Sequence, residues 1–126
     1  MLRDYRIILI LSAGLLSGFG SWVLAGAETV GDASKGKPIY EKNCLICHGP
    51  EGRGDGPMGQ SLHPPAPNFA SPESQRKPDS EWMKVIREGH PDTAMTTWKG
   101  NLSDQQFLDV LAYARKLSRG VEKGRS

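Results

Sequence analysis

Apolar residues recur at helical spacing in separate parts of this 126-residue chain and run almost unbroken in another. The clearest periodic segment lies near the C-terminus, where Phe107, Val110, Leu111 and Ala114 share one helix face. Ser103 is its N-cap and Gln106, three residues on, completes a capping box, so Asn101-Leu102-Ser103 reads as a cap rather than a glycosylation sequon. Arg115, Lys116 and Arg119 suit the negative end of that helix, and Gly120 is expected to close it. A shorter middle helix is predicted from Asp79 as cap, Trp82, Val85 and Ile86 on one face, and Gly89 as terminator. A first helix is expected after Asp32, with Ala33, Gly36, Tyr40, Cys44 and Cys47 along one stripe. Pro38 interrupts it, which predicts either a start near Lys37 or a kink.

From Gly49 to Pro78 the periodicity disappears and turn residues take over, with glycines first and prolines after them. A structureless stretch of that length inside a compact domain needs something to order it. Leu62 and Phe69 are apolar anchors that favour packing on a cofactor edge over the plainer reading of a disordered linker. There is no internal repeat and no strand-like alternation. The fold class predicted is all-α, with three to four short helices and long Gly/Pro-rich loops.

The mostly apolar run, Ile7 to Leu24, follows Arg3 and Arg6 and precedes Ala25-Gly26-Ala27, a small-residue cleavage site. Residues 1–27 therefore read as a signal peptide and Glu28 as the mature N-terminus. The competing reading is an uncleaved anchor, against which Ser12, Gly14, Ser17, Gly18, Gly20 and Ser21 thin a stretch already near the lower limit for spanning a bilayer. Residues 28–120 then form one domain and 121–126 a short polar tail. The formal charge of +2 gives no case for nucleic acid or for binding a membrane surface; membrane contact would come only through an uncleaved N-terminal segment.

Cys44-Leu45-Ile46-Cys47-His48 carries the chemistry. In C-x-x-C-H the two thiols form thioether bonds to one porphyrin and the next imidazole reaches its iron, which is the attachment pattern of a c-type haem. Plainer readings are a Cys44–Cys47 disulfide, a thiol redox pair or half of a zinc site. Two cysteines and three histidines fall short of an obvious four-ligand zinc site, and a redox pair of the thioredoxin kind needs a βαβ context that is missing. Only 37% of residues are hydrophobic, signal segment included, so a porphyrin would supply apolar bulk that the domain lacks.

With Gly36-Lys37-Pro38-Ile39-Tyr40, Cys44 to Gly49, Gly54-Asp55-Gly56-Pro57, Pro64 to Phe69, Met95-Thr96-Thr97-Trp98 and Leu111-Ala112-Tyr113, the chain resembles a small bacterial class I cytochrome c from Gly31 to Leu117. The resemblance implies one covalent haem c on Cys44 and Cys47, with His48 and Met95 as iron ligands. It implies contact of Gly36 and Tyr40 with Val110 and Tyr113, and a hydrogen bond from His48 to the carbonyl of Pro64 or Pro65. Met95 fits the distal position because it follows the middle helix. Met83 falls inside that helix, Met58 is tethered close to His48, and His90, ahead of His63, is the alternative ligand. In the family a proline commonly follows the methionine; here Thr96 does, which leaves the distal loop less constrained. Trp98 and Phe69 are candidate haem walls and Arg53 a candidate propionate partner.

A six-coordinate iron has no open position for substrate, so the implied function is electron transfer in the periplasm between transient donor and acceptor proteins of a respiratory chain, and not catalysis. The alternatives are a fixed haem subunit of a larger periplasmic oxidoreductase, or a haem catalyst or gas sensor with an open distal side.

Overall fold

The computed structural model describes residues 30–123, so the predicted signal peptide and its cleavage site lie outside the described residues. Among the described residues five α-helices follow one another with no strand between them: α1 Ala33–Asn43, α2 Leu45–His48, α3 Pro72–Arg76, α4 Asp79–Glu88 and α5 Asp104–Lys123, with a 3-10 turn at Gly59–Ser61. None of the described helices is long and apolar enough to cross a membrane.

The all-α expectation holds, and the differences are local. Helix α1 begins directly after Asp32, as expected, and not near Lys37: Asp32 is its N-cap, its carboxylate accepting from the Ser34 N–H, and the helix starts at Ala33 and runs through Pro38. Pro38 is exposed, so its ring meets solvent, and only the one backbone bond that its missing N–H would have made is lost. The N-cap of α4 is Pro78 rather than Asp79, and Gly89 at φ 79° closes the helix. Asp79 is helical instead, and its carboxylate accepts from Arg115 Nε at 2.6 Å. At Ser103 the capping box forms: its N–H donates to Gln106 Oε1 and its Oγ accepts from the Gln106 N–H. Gly120 does not end α5, which continues to Lys123; a Cβ at Gly120 would meet nothing, so no packing forces the chain to turn there. Helix α3 was not predicted, although Ser71 followed by Pro72 is a cap and first-turn proline, and Ser71 Oγ accepts from the Ser74 N–H.

Helices α1 and α5 make the closest packing in the fold. Gly36 lies against α5 so tightly that a Cβ there would sit 1.9 Å from the Asp109 carbonyl oxygen and 3.0 Å from the Tyr113 Cβ. One turn along, the Tyr40 ring meets the Tyr113 ring edge-on with centroids 5.3 Å apart. Tyr40, Phe69, Trp82, Val110, Leu111 and Ala114 form the core, with Met83 packed against it. Helices α4 and α5 are joined by two reciprocal arginine contacts. Arg87 of α4 bonds Asp104 and stacks over Phe107 of α5, while Arg115 of α5 bonds Asp79 and stacks over Trp82 of α4. The pairs 87/104 and 79/115 fix the two helices as antiparallel.

Candidate functional site

The cysteine motif is a single helical turn continuing from α1. The Cys44 N–H bonds the Tyr40 carbonyl at 2.8 Å, the His48 N–H bonds the Cys44 carbonyl at 2.9 Å, and Gly49 closes on Leu45. A spacing of three then puts Cys44 and Cys47 on one side of the turn. Both are half-buried free thiols. The Tyr40 hydroxyl donates to the Gly49 carbonyl at 2.7 Å and so ties the end of the motif to the core. No tyrosine role of this kind was read from the sequence; the hydrophobic stripe predicted burial, not the bond.

The glycine-rich loop is ordered by the motif itself. Gly54 donates to the His48 carbonyl, Gly56 to that of Cys47 and Met58 to that of Ile46, while Ala66 donates to Gly59 and Phe69 to Gly52. Gly52, at φ 70°, lies under Phe69, whose ring a Cβ there would meet at 2.4 Å. Backbone hydrogen bonds, rather than a cofactor edge alone, therefore explain how so irregular a segment holds its shape.

These elements enclose an apolar cavity of about 510 Å3 into which Cys44, Cys47, His48 and Met95 all face. Phe69, Trp82 and Trp98 are among its walls, as are Pro64 and Pro65. Phe69 and Trp98 thus stand where they were expected. Arg53 does not: it is exposed and bonds Glu51 at 2.8 Å, because the loop turns its side chain to solvent. Met58 is 47% exposed and outside the cavity. His90 lines the cavity beside Met95 but is exposed, with its Nδ1 3.1 Å from the Pro91 carbonyl; His63 is exposed and does not line it.

Met95 is held by its own loop. The Met95 N–H donates to Thr93 Oγ1, its carbonyl accepts from the His90 N–H, and the Arg87 carbonyl accepts from the Thr97 hydroxyl at 2.7 Å and from the Trp98 N–H. Two threonine hydroxyls thus supply the restraint that a proline after Met95 would have given.

His48 is the most informative side chain. Burial alone pulls its imidazole down to about 4, so the ring is neutral at physiological pH, the form that ligates a metal. Its Nδ1 is buried without a hydrogen-bond partner among the described residues, so the expected bond to Pro64 or Pro65 is not made by that nitrogen. The Phe69 ring lies over the imidazole instead, centroids 4.8 Å apart. A buried, unsatisfied nitrogen is expensive, at about 1–3 kcal/mol, and calls for a partner from outside the chain. Burial also pushes the Cys44 thiol up to about 11, with a smaller contribution from Cys47. Among the described residues no three His, Cys, Asp or Glu side chains cluster to hold a metal between them. An iron that arrives inside a porphyrin needs only axial ligands from protein, and a cavity of this size lies within the usual range of about 300–1,000 Å3 for bound cofactors.

Comparison with known proteins agrees. A model of the cytochrome c family matches residues 33–118. The chain is 30% identical over 98 residues to the cbb3-type cytochrome c oxidase subunit FixP of Bradyrhizobium diazoefficiens, covering 71% of this chain and 29% of that protein. It is also 30% identical over 112 residues to a cytochrome c-553-like protein of Synechocystis, covering 87% of this chain and 94% of the relative. Among solved structures, a chain of the Kuenenia stuttgartiensis reducing HAO-like protein complex superposes with a TM-score of 0.61 at 29% identity, covering 72% of this chain and 44% of the other. The chain thus spans under a third of the length of FixP and a little under half of the Kuenenia chain. With that match over most of its length, and with two free thiols at haem-attachment spacing facing one cavity, the chain belongs to the cytochrome c family, electron carriers with covalent haem c.

Proposed function

We propose that this protein is an exported one-electron carrier whose iron is held between His48 and Met95. The observation that carries the reading is the convergence of His48, Met95 and both cysteines on a single apolar cavity. Haem c, when bound, supplies a couple between ferric and ferrous iron. The chain's part is to fix that couple in place and set its potential. Cys44 and Cys47 anchor the porphyrin through thioether bonds, His48 offers a neutral imidazole, and Met95 offers a neutral thioether, which favours the ferrous form. Phe69, Trp82 and Trp98 exclude water, which favours it further. Were His48 and Met95 both to hold the iron, no position on it would be left for a substrate, and a small transient contact suits turnover between partners.

The deciding measurement is the absorption spectrum of the matured protein, oxidised and reduced, with and without CO. A six-coordinate low-spin spectrum unchanged by brief exposure to CO is expected; rapid CO binding would instead mark an open site for catalysis or sensing. Two relatives favour a second arrangement of the same chemistry, since one is named as an oxidase subunit and the other belongs to a complex. A fixed subunit would co-purify with its partner at high salt, and a mobile carrier would not.

Two further outcomes are expected. Denaturation and acidic acetone leave the haem on the wild-type chain, and joint Cys44→Ala and Cys47→Ala replacement releases it; haem washing out of the matured wild type would contradict thioether attachment. Intact-mass analysis of the periplasmic fraction gives a chain beginning at Glu28, and a membrane-bound product retaining residues 1–27 would establish the anchored form.

A further inference from the structure

Most charged side chains of the domain lie in solvent, but Arg115 does not. Its side chain is only 11% exposed, whereas that of its partner Asp79 is 71% exposed. The guanidinium lies 4.0 Å from the centre of the Trp82 ring, with Nε donating to Asp79 at 2.6 Å and Nη2 to the Lys77 carbonyl at 2.6 Å. Trp82 is itself fixed, its indole N–H donating to the Ser74 carbonyl at 3.2 Å, and its ring is a wall of the haem cavity. A permanent cation is therefore pinned one ring's thickness behind the cavity wall.

We propose that Arg115 sets the reduction potential of the haem, its positive charge behind Trp82 disfavouring the ferric state. The inference rests on the haem site proposed above. Its sign follows from the asymmetry of the pair. The carboxylate of Asp79 faces water, which weakens its field without removing it, while the guanidinium looks into the low-dielectric interior through an aromatic ring. The pair is thus close to neutral from outside and positive from within the cavity. The other charged side chains lining this end of the cavity are Glu73, Lys77 and Glu81; Lys77 and Glu81 pair with each other at 3.3 Å and are 40% and 46% exposed, and Glu73 is exposed, so solvent screens their field. Arg87 provides an internal comparison. It joins the same two helices and stacks on Phe107, but Phe107 is not a cavity wall.

The test is the potential of haem-loaded variants, measured with thermal stability on the same samples. Arg115→Gln and Asp79→Asn break the same ion pair, so a merely structural role moves stability and potential in one direction for both. Charge tuning moves the potentials in opposite directions: Arg115→Gln shifts the reduction equilibrium about three- to tenfold toward ferric iron, and Asp79→Asn shifts it toward ferrous. Arg115→Lys keeps a potential near wild type while losing stability as Gln does, and Arg87→Gln loses stability without the shift. Shifts of the same sign in Arg115→Gln and Asp79→Asn would overturn the proposal. If Arg115→Gln does not fold, Asp79→Asn decides alone, and the absence of an upward shift is fatal. A wild type that binds CO rapidly would instead sink the ligand assignment, a separate failure.

Discussion

Met95→Ala in the haem-loaded protein is expected to abolish the weak far-red sulfur-to-iron band of the oxidised form, lower the potential and open the iron to CO and cyanide, with the haem still attached through Cys44 and Cys47. Met95 is the methionine that lines the cavity with His48, while Met58 is half-exposed outside it and Met83 packs on the core. Removing a thioether removes the ligand that favours ferrous iron, so the fall in potential follows from ligand chemistry. Met95→His should restore six-coordination at a potential below wild type, because imidazole favours ferric iron more than thioether does. His90 lines the same cavity, so the Met95→Ala spectrum is best read beside the Met95→Ala/His90→Ala pair. Retention of the far-red band in Met95→Ala, with its loss in Met58→Ala, would show the ligand assignment to be wrong and leave the cytochrome fold standing.

The parts of this protein legible in its sequence are those written in short-range pattern. The C-x-x-C-H turn, the Ser103/Gln106 box and the Gly89 terminus each combine a few neighbouring residues whose chemistry has one good solution, and each is present in the structure. The stripe of Gly36 and Tyr40 was readable as packing, and both residues meet α5. What the pattern concealed depended on distant partners. The bond from Tyr40 to Gly49, the wrapping of Gly54 and Gly56 around the motif's carbonyls, and the burial of Arg115 against Trp82 all join groups that no local rule connects. Arg115 looked like a helix-dipole residue because it lies near a C-terminus; its burial was set by α4, thirty-odd positions away. The orphaned His48 Nδ1 illustrates the same limit from the other side, since the resemblance supplied a partner among the prolines that the fold replaces with an aromatic face.

Gly36→Ala is expected to destabilise the haem-loaded protein by about 2 kcal/mol and lower its melting temperature by roughly 8–16 °C, against the ordinary preference of helices for alanine. Position 36 is in the interior of α1, so the substitution would gain about 1 kcal/mol from propensity if the site were open. It is closed by backbone. The added methyl would fall 1.9 Å from the Asp109 carbonyl oxygen and 2.5 Å from its carbon, and no rotamer change can move a carbonyl out of the way. Relief requires α1 and α5 to separate, which would loosen the Tyr40 and Tyr113 contact and the hydrogen bond from the Asp32 N–H to the Asp109 carboxylate at 2.8 Å. Because Tyr40 also holds the end of the cysteine motif, the damage reaches the haem site through the Gly49 carbonyl. Gly120→Ala is the matched comparison: it too is a helical glycine, but a Cβ there meets nothing, so a gain of roughly 0.5–1 kcal/mol is expected. Thermal unfolding followed by far-UV circular dichroism measures both, and a Gly36→Ala protein as stable as Gly120→Ala would mean that the α1–α5 contact is looser than the structure draws it.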